Sequence, residues 1–112
     1  MEKKISHNHV HSDDIMEMHQ MISQKWVTCI LHSMCACGGT MRFSDIEKSL
    51  PYINANILSQ RLSDLEKQGL VERVVTNNKP VQINYKLTPK AAELKKIFKE
   101  LARWSQKWAR KK

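Results

Sequence analysis

Hydrophobic positions along the chain switch between two periods, and each switch marks an element. Ile15, Met18, Ile22, Trp26, Ile30 and Met34 recur every three or four residues, which predicts one long helix from a Ser12 cap to about Cys35. Asp13, Asp14 and Glu17 stand in its first turn, where carboxylates complement the helix dipole. Its length and apolar density exceed what one small core needs, so part of it is expected to pack on a partner chain. Met41, Arg42 and Phe43 read as short and extended. Ser44 then caps a helix over 45–50, with Glu47 completing a capping box, and Pro51 ends it. Asn54 caps a second helix, whose residues Ile57, Leu58, Leu62 and Leu65 form one apolar stripe. Gly69 suits the left-handed residue that stops a helix. The pattern then turns β-branched over residues 70–75 and again over 81–87, two strands joined by a turn at 76–80 that contains Asn77, Asn78 and Pro80. Thr88 and Pro89 open a last helix, whose Leu94, Ile97, Phe98, Leu101, Trp104 and Trp108 share a face.

Two helices joined by a short turn and followed by a β-hairpin are a helix-turn-helix with a wing. The fold class predicted is α+β and mostly helical: a winged helix-turn-helix with long N- and C-terminal helices forming a dimer interface. Ile15, Met18, Ile22, Leu94, Ile97, Phe98, Leu101, Trp104 and Trp108 are the residues expected in that interface, because a terminal helix with two tryptophans and no remaining core to cover needs a partner. Residues 12–112 are read as one domain, a length that suits a single modest core. Residues 1–11 are read as a flexible arm. Its alternating His7, His9 and His11 lack a rigid element to hold a metal.

The outer face of the central helix carries Asn56, Ser59, Gln60, Ser63 and Lys67. Short donors and acceptors of this kind read base edges and phosphates in a DNA groove; a solvated polar face is the plain alternative. The wing tip adds Lys79.

Charge changes the picture by where it lies. The chain of 112 residues has a net charge of +8 and a pI near 9.6. Residues 90–112 hold nine of the 19 Lys/Arg and two of the 11 acids, so nearly all of the excess is at the C-terminus and little of it on the central helix. Such a field suits a polyanion. It also suits an acidic protein partner, which keeps a winged-helix protein-interaction module as a second reading.

Three cysteines, Cys29, Cys35 and Cys37, with no secretory signal and no membrane-length apolar run argue for a soluble, cytoplasmic, reducing setting rather than a disulfide framework or a membrane protein. Cys35 and Cys37, with His32 near, are a candidate redox or metal-responsive pair; buried or incidental thiols at a helix end are the alternative. No zinc-ligand spacing, phosphate loop or catalytic grouping is present, so no cofactor and no enzyme activity are implied.

Four stretches together resemble a known family: Gln24-Lys25-Trp26-Val27-Thr28-Cys29-Ile30-Leu31, Arg42-Phe43-Ser44-Asp45-Ile46, the run from Leu58-Ser59-Gln60-Arg61-Leu62 through Gly69-Leu70-Val71-Glu72-Arg73, and Tyr85-Lys86-Leu87-Thr88-Pro89. In this order they are similar to the HxlR-type winged-helix transcriptional regulators, relatives of the MarR group, over about residues 13–108. The resemblance implies a homodimer on a pseudo-palindromic operator in double-stranded DNA, with the central helix in the major groove and the wing beside it. It implies DNA contacts at Asn56, Ser59, Gln60 and Arg61, with Arg61 either on a phosphate or anchoring the helix to its neighbours. Asn54, Ser63, Lys67, Lys79 and Arg42 complete the expected DNA-binding set. Many members start their first helix with a cysteine and a proline and some sense quinones or oxidants through that cysteine; here those places are Asp13 and Asp14. Gln24 replaces the glycine usual before the Lys-Trp pair, Gln82 the arginine often found in the wing, and the turn with Cys35 and Cys37 is about two residues longer than usual.

Overall fold

The computed structural model describes residues 12–77 and 79–109. The candidate arm and its histidines, Asn78 and the last three basic residues lie outside the described residues. The order is α1 (Asp13–Ser23), α2 (Val27–Ala36), β1 (Thr40–Arg42), α3 (Phe43–Ser49), α4 (Ala55–Lys67), β2 (Val71–Thr76), β3 (Gln82–Leu87), α5 (Pro89–Ala92) and α6 (Leu94–Ala109). It is a winged helix-turn-helix: α3 and α4 are the helix pair and β2–β3 the wing.

The core is where three helices meet. Ile30, Met34, Ile46, Leu58, Leu62 and Leu65 are all fully buried, and they come from α2, α3 and α4. The stripe read from α4 is thus the one that faces inward. Asn54 is its cap, its Oδ1 accepting from the N–H groups of Asn56 (2.7 Å) and Ile57 (3.3 Å). Gly69 ends it at φ +75°, a region that costs a residue with a Cβ. The Leu70 N–H then returns to the Leu65 carbonyl at 2.9 Å, which seats Leu70 in the core.

The sheet order is β1-β3-β2, antiparallel throughout. Its central strand is therefore the last in sequence. Met41 of β1 pairs in register with Tyr85, and Val71 of β2 with Leu87. Met41, Val71 and Leu87 are buried, so the base of the sheet covers the helices. The far end projects as the wing, where the Gln82 N–H donates to Thr76 Oγ1 at 3.2 Å. The strands begin and end within a residue of the expected bounds.

Three expectations need correction. The helix predicted from Ser12 to Cys35 is two helices. Ser12 does cap α1, accepting from the Ile15 N–H at 3.4 Å, but the chain extends at Gln24 and Trp26 adopts φ +80°. The apolar spacing continues through the break because one left-handed residue turns the chain without shifting the count. What changes is the face covered: α1 has no buried residue, whereas α2 buries Val27, Ile30, Leu31, Met34 and Cys35. The second correction concerns α3, which begins at Phe43, directly after β1. Ser44 falls inside its first turn, the N-cap is Arg42 without a side-chain bond, and the Ser44–Glu47 capping box does not form. Third, the C-terminal helix is interrupted at Glu93. Thr88 caps only the short α5, accepting from the Ala91 N–H at 3.4 Å, and Ala91 is fully buried.

Candidate nucleic-acid interface

Burial of Leu58, Leu62 and Leu65 leaves one face of α4 to solvent, and that face is the polar one. Asn56, Ser59, Gln60, Ser63 and Lys67 are all exposed. Their side chains make no hydrogen bond to any described residue. Donors and acceptors left free on a rigid helix are what base readout requires, since every bond they could make is available to a ligand. Asn54 stands at the start of the same helix, but its Oδ1 is committed to the cap.

Arg61 is placed differently. Its side chain is only 22% exposed. Its Nε donates to the Lys25 carbonyl at 3.0 Å, and its guanidinium lies 3.6 Å from Asp64 one turn along. Of the other candidate cations, only Lys67 is on α4. Lys79 is exposed at the wing tip and Arg42 is exposed on β1, in register with Asn84. Two residues absent from the sequence-based set are also exposed, one just before α4 in the chain and one on the wing. Tyr52 is 89% exposed in the turn leading into α4; a large aromatic directly after Pro51 was the available signal. Arg73 is exposed on β2, opposite Tyr85, and a strand-alternation reading alone did not single it out.

The candidate dimer residues split by exposure. Ile97, Leu101, Trp104 and Trp108 of α6 are about half to two-thirds exposed, as are, to a lesser degree, Met18 and Ile22 of α1. Ile15 and Leu94 are half-buried. Phe98 turns inward: it is buried and stacks on His32 with ring centroids 5.4 Å apart. Together α1 and the start of α6 flank a groove of about 690 Å³ whose apolar lining includes Met18, Met21, Leu70 and Leu94.

The three thiols differ in exposure. Cys35 is buried on α2, whereas Cys37 and Cys29 are exposed, and all three are free. Burial pushes the Cys35 thiol up from its ordinary pKa, against a smaller lowering by the Lys95 ammonium. His32 lies between Cys29 and Cys35 on α2 and stacks on Phe98. Among the described residues no group of His, Cys, Asp or Glu has the arrangement to hold a metal, and no helix is long and apolar enough to cross a membrane.

Comparison with known proteins agrees with this architecture. A family described as HxlR-like helix-turn-helix matches residues 21–112. The HTH-type transcriptional regulator YvaP of Bacillus subtilis is 39% identical over 88 residues, 79% of this chain and 80% of that protein. The HTH-type transcriptional regulator YodB of the same organism is 32% identical over 88 residues, covering 79% and 77% of the two chains. The structure of reduced YodB aligns with a TM-score of 0.75 at 29% identity, over 87% of this chain and 93% of YodB. The redox regulator HypR in its reduced form aligns with a TM-score of 0.75 at 25% identity, over 86% and 93%.

Proposed function

Because this chain belongs to the HxlR-like helix-turn-helix family of transcriptional regulators, we propose that it works as a homodimer that reads a pseudo-palindromic operator in double-stranded DNA. The observation that carries this reading is the outer face of α4, where Asn56, Ser59, Gln60 and Ser63 are exposed and uncommitted on a helix whose opposite face is sealed in the core. In the proposed complex α4 lies in the major groove. The Asn56 and Gln60 amides suit the paired donor and acceptor of adenine. Ser59 and Ser63 suit a base edge or a phosphate, and Lys67, Lys79, Arg42 and the Tyr52 phenol suit the backbone on either side. The exposed stripe of α6, with α1, closes the dimer and sets the two copies of α4 about one turn of DNA apart, roughly 34–36 Å.

Selecting genomic fragments on the purified protein and titrating the recovered duplex tests the proposal. The selected sites are expected to be two-fold related, and Asn56→Ala/Gln60→Ala is expected to lose about 1–3 kcal/mol per direct contact. Unchanged operator affinity in that double variant sinks the assignment of α4. Absence of any duplex binding at low salt favours instead an acidic protein partner for the basic α6.

A further inference from the structure

A cation midway along a reading helix is ordinarily assigned to a phosphate. Arg61 is committed elsewhere, and the reason lies 36 residues upstream. In an uninterrupted helix the Lys25 carbonyl would accept from the N–H four residues on. The left-handed Trp26 prevents this. The Val27 N–H turns back to the Gln24 carbonyl (3.2 Å) and the Ile30 N–H bonds the Trp26 carbonyl (2.9 Å), which leaves the Lys25 carbonyl outside both helical ladders. Arg61 Nε fills that vacancy at 3.0 Å, and Asp64 steadies the guanidinium from the same helix. The Lys25 ammonium in turn lies over the Trp26 ring, 5.6 Å from its centroid. A bulky side chain at positive φ is an uncommon conformation that its surroundings must hold in place. Here the holding contact comes from the middle of α4.

We propose that Arg61 is a positioning residue: it clamps α4 to the α1–α2 corner and so fixes the angle at which the reading face is presented, without itself touching DNA. The proposal rests on the DNA-reading role of α4. The corner belongs at once to α1, a terminal helix assigned to the dimer, and to α2, the core helix. The clamp therefore ties the orientation of each reading helix to the dimer that spaces the pair.

The test is Arg61→Ala in the full chain, read in two ways. The first is titration of the operator and of a random duplex across a salt series. The second is hydrogen exchange of the DNA-free protein. The clamp predicts that operator affinity falls about tenfold, the worth of one charge-assisted hydrogen bond. Affinity for random duplex changes little, so discrimination falls with it. The salt slope stays as in the wild type, and exchange rises at residues 24–30 and 55–67 but not in α6. A slope reduced by about one with unchanged exchange identifies a phosphate contact and overturns the proposal, as does unchanged discrimination. If Arg61→Ala does not fold, Arg61→Lys keeps the charge: lost discrimination at a constant slope supports the clamp, and retention of both overturns it. If the wild type binds no duplex, the DNA reading fails and exchange at residues 24–30 alone decides whether the clamp exists.

Discussion

Helices α4 and α6 carry the same kind of pattern and meet opposite fates. Each has an apolar stripe at helical spacing and a polar opposite face. In α4 the stripe is sealed, with Leu58, Leu62 and Leu65 fully buried, and the polar face is left to solvent. In α6 only Phe98 is buried, while Ile97, Leu101, Trp104 and Trp108 remain exposed. An amphipathic stripe therefore says that a helix will be covered and not by what. For α4 the chain itself supplies the cover, which frees the outer face for a ligand. For α6 the described residues supply no such cover, and four large apolar side chains in a row exceed what scattered surface hydrophobics explain.

The contrast can be broken at its strong end. Leu62→Ala removes a fully buried side chain and is expected to cost about 2–5 kcal/mol, visible as a lowered denaturant midpoint at constant slope; a loss below about 1 kcal/mol shows that the α4 stripe is not the core. Trp104→Ala tests the other side. A tryptophan at the centre of a dimer interface is worth about 2 kcal/mol or more, so dissociation in sedimentation experiments is expected to strengthen at least thirtyfold while the circular dichroism of the chain stays unchanged. Equal self-association in variant and wild type removes α6 from the interface.

The smallest effect concerns the covered beginning of α6, whose Lys95 lines the cleft over Cys35. Burial holds the Cys35 thiol neutral to higher pH than in the unfolded chain. Its contribution to stability is fully present below the unfolded thiol's pKa and is lost as pH rises through the folded value, because the unfolded chain gives up its proton first. Alkylation at mildly alkaline pH is accordingly expected at Cys29 and Cys37 well before Cys35, as mass spectrometry of timed samples would show. Simultaneous labelling of all three means that α6 does not seal that cleft.

Much of this was legible in the sequence because it is local. Asn54, Gly69, Thr88 and Pro89 each act within a few residues of themselves, and the β-branched runs around the Asn-rich turn specify a hairpin without reference to the rest of the chain. The break at Trp26 was not legible, because a single left-handed residue leaves the apolar count intact. Ser44 misled because a serine three before a glutamate is a cap only if the helix starts there, and the strand-to-helix junction starts it sooner. Phe98 and Ile97 are neighbours on one stripe, and the packing of α6 against α2, where Phe98 stacks on His32, sends one inward and leaves the other out. The acceptor for Arg61 is a backbone carbonyl created by the Trp26 turn, and no side-chain pattern announces it.

The strand order also has a bearing on how the molecule is made. Thr40 finds its partner at Lys86, and β3 lies between both other strands. During synthesis α2, β1, α3 and α4 all leave the ribosome before any of the sheet can assemble, and β1 waits with its backbone groups unpaired until residues 82–87 have emerged. Pairing across so long a stretch of chain is the slow kind. The nascent chain thus holds α4 before it holds its wing, and the last strand to be translated is the one that closes the sheet.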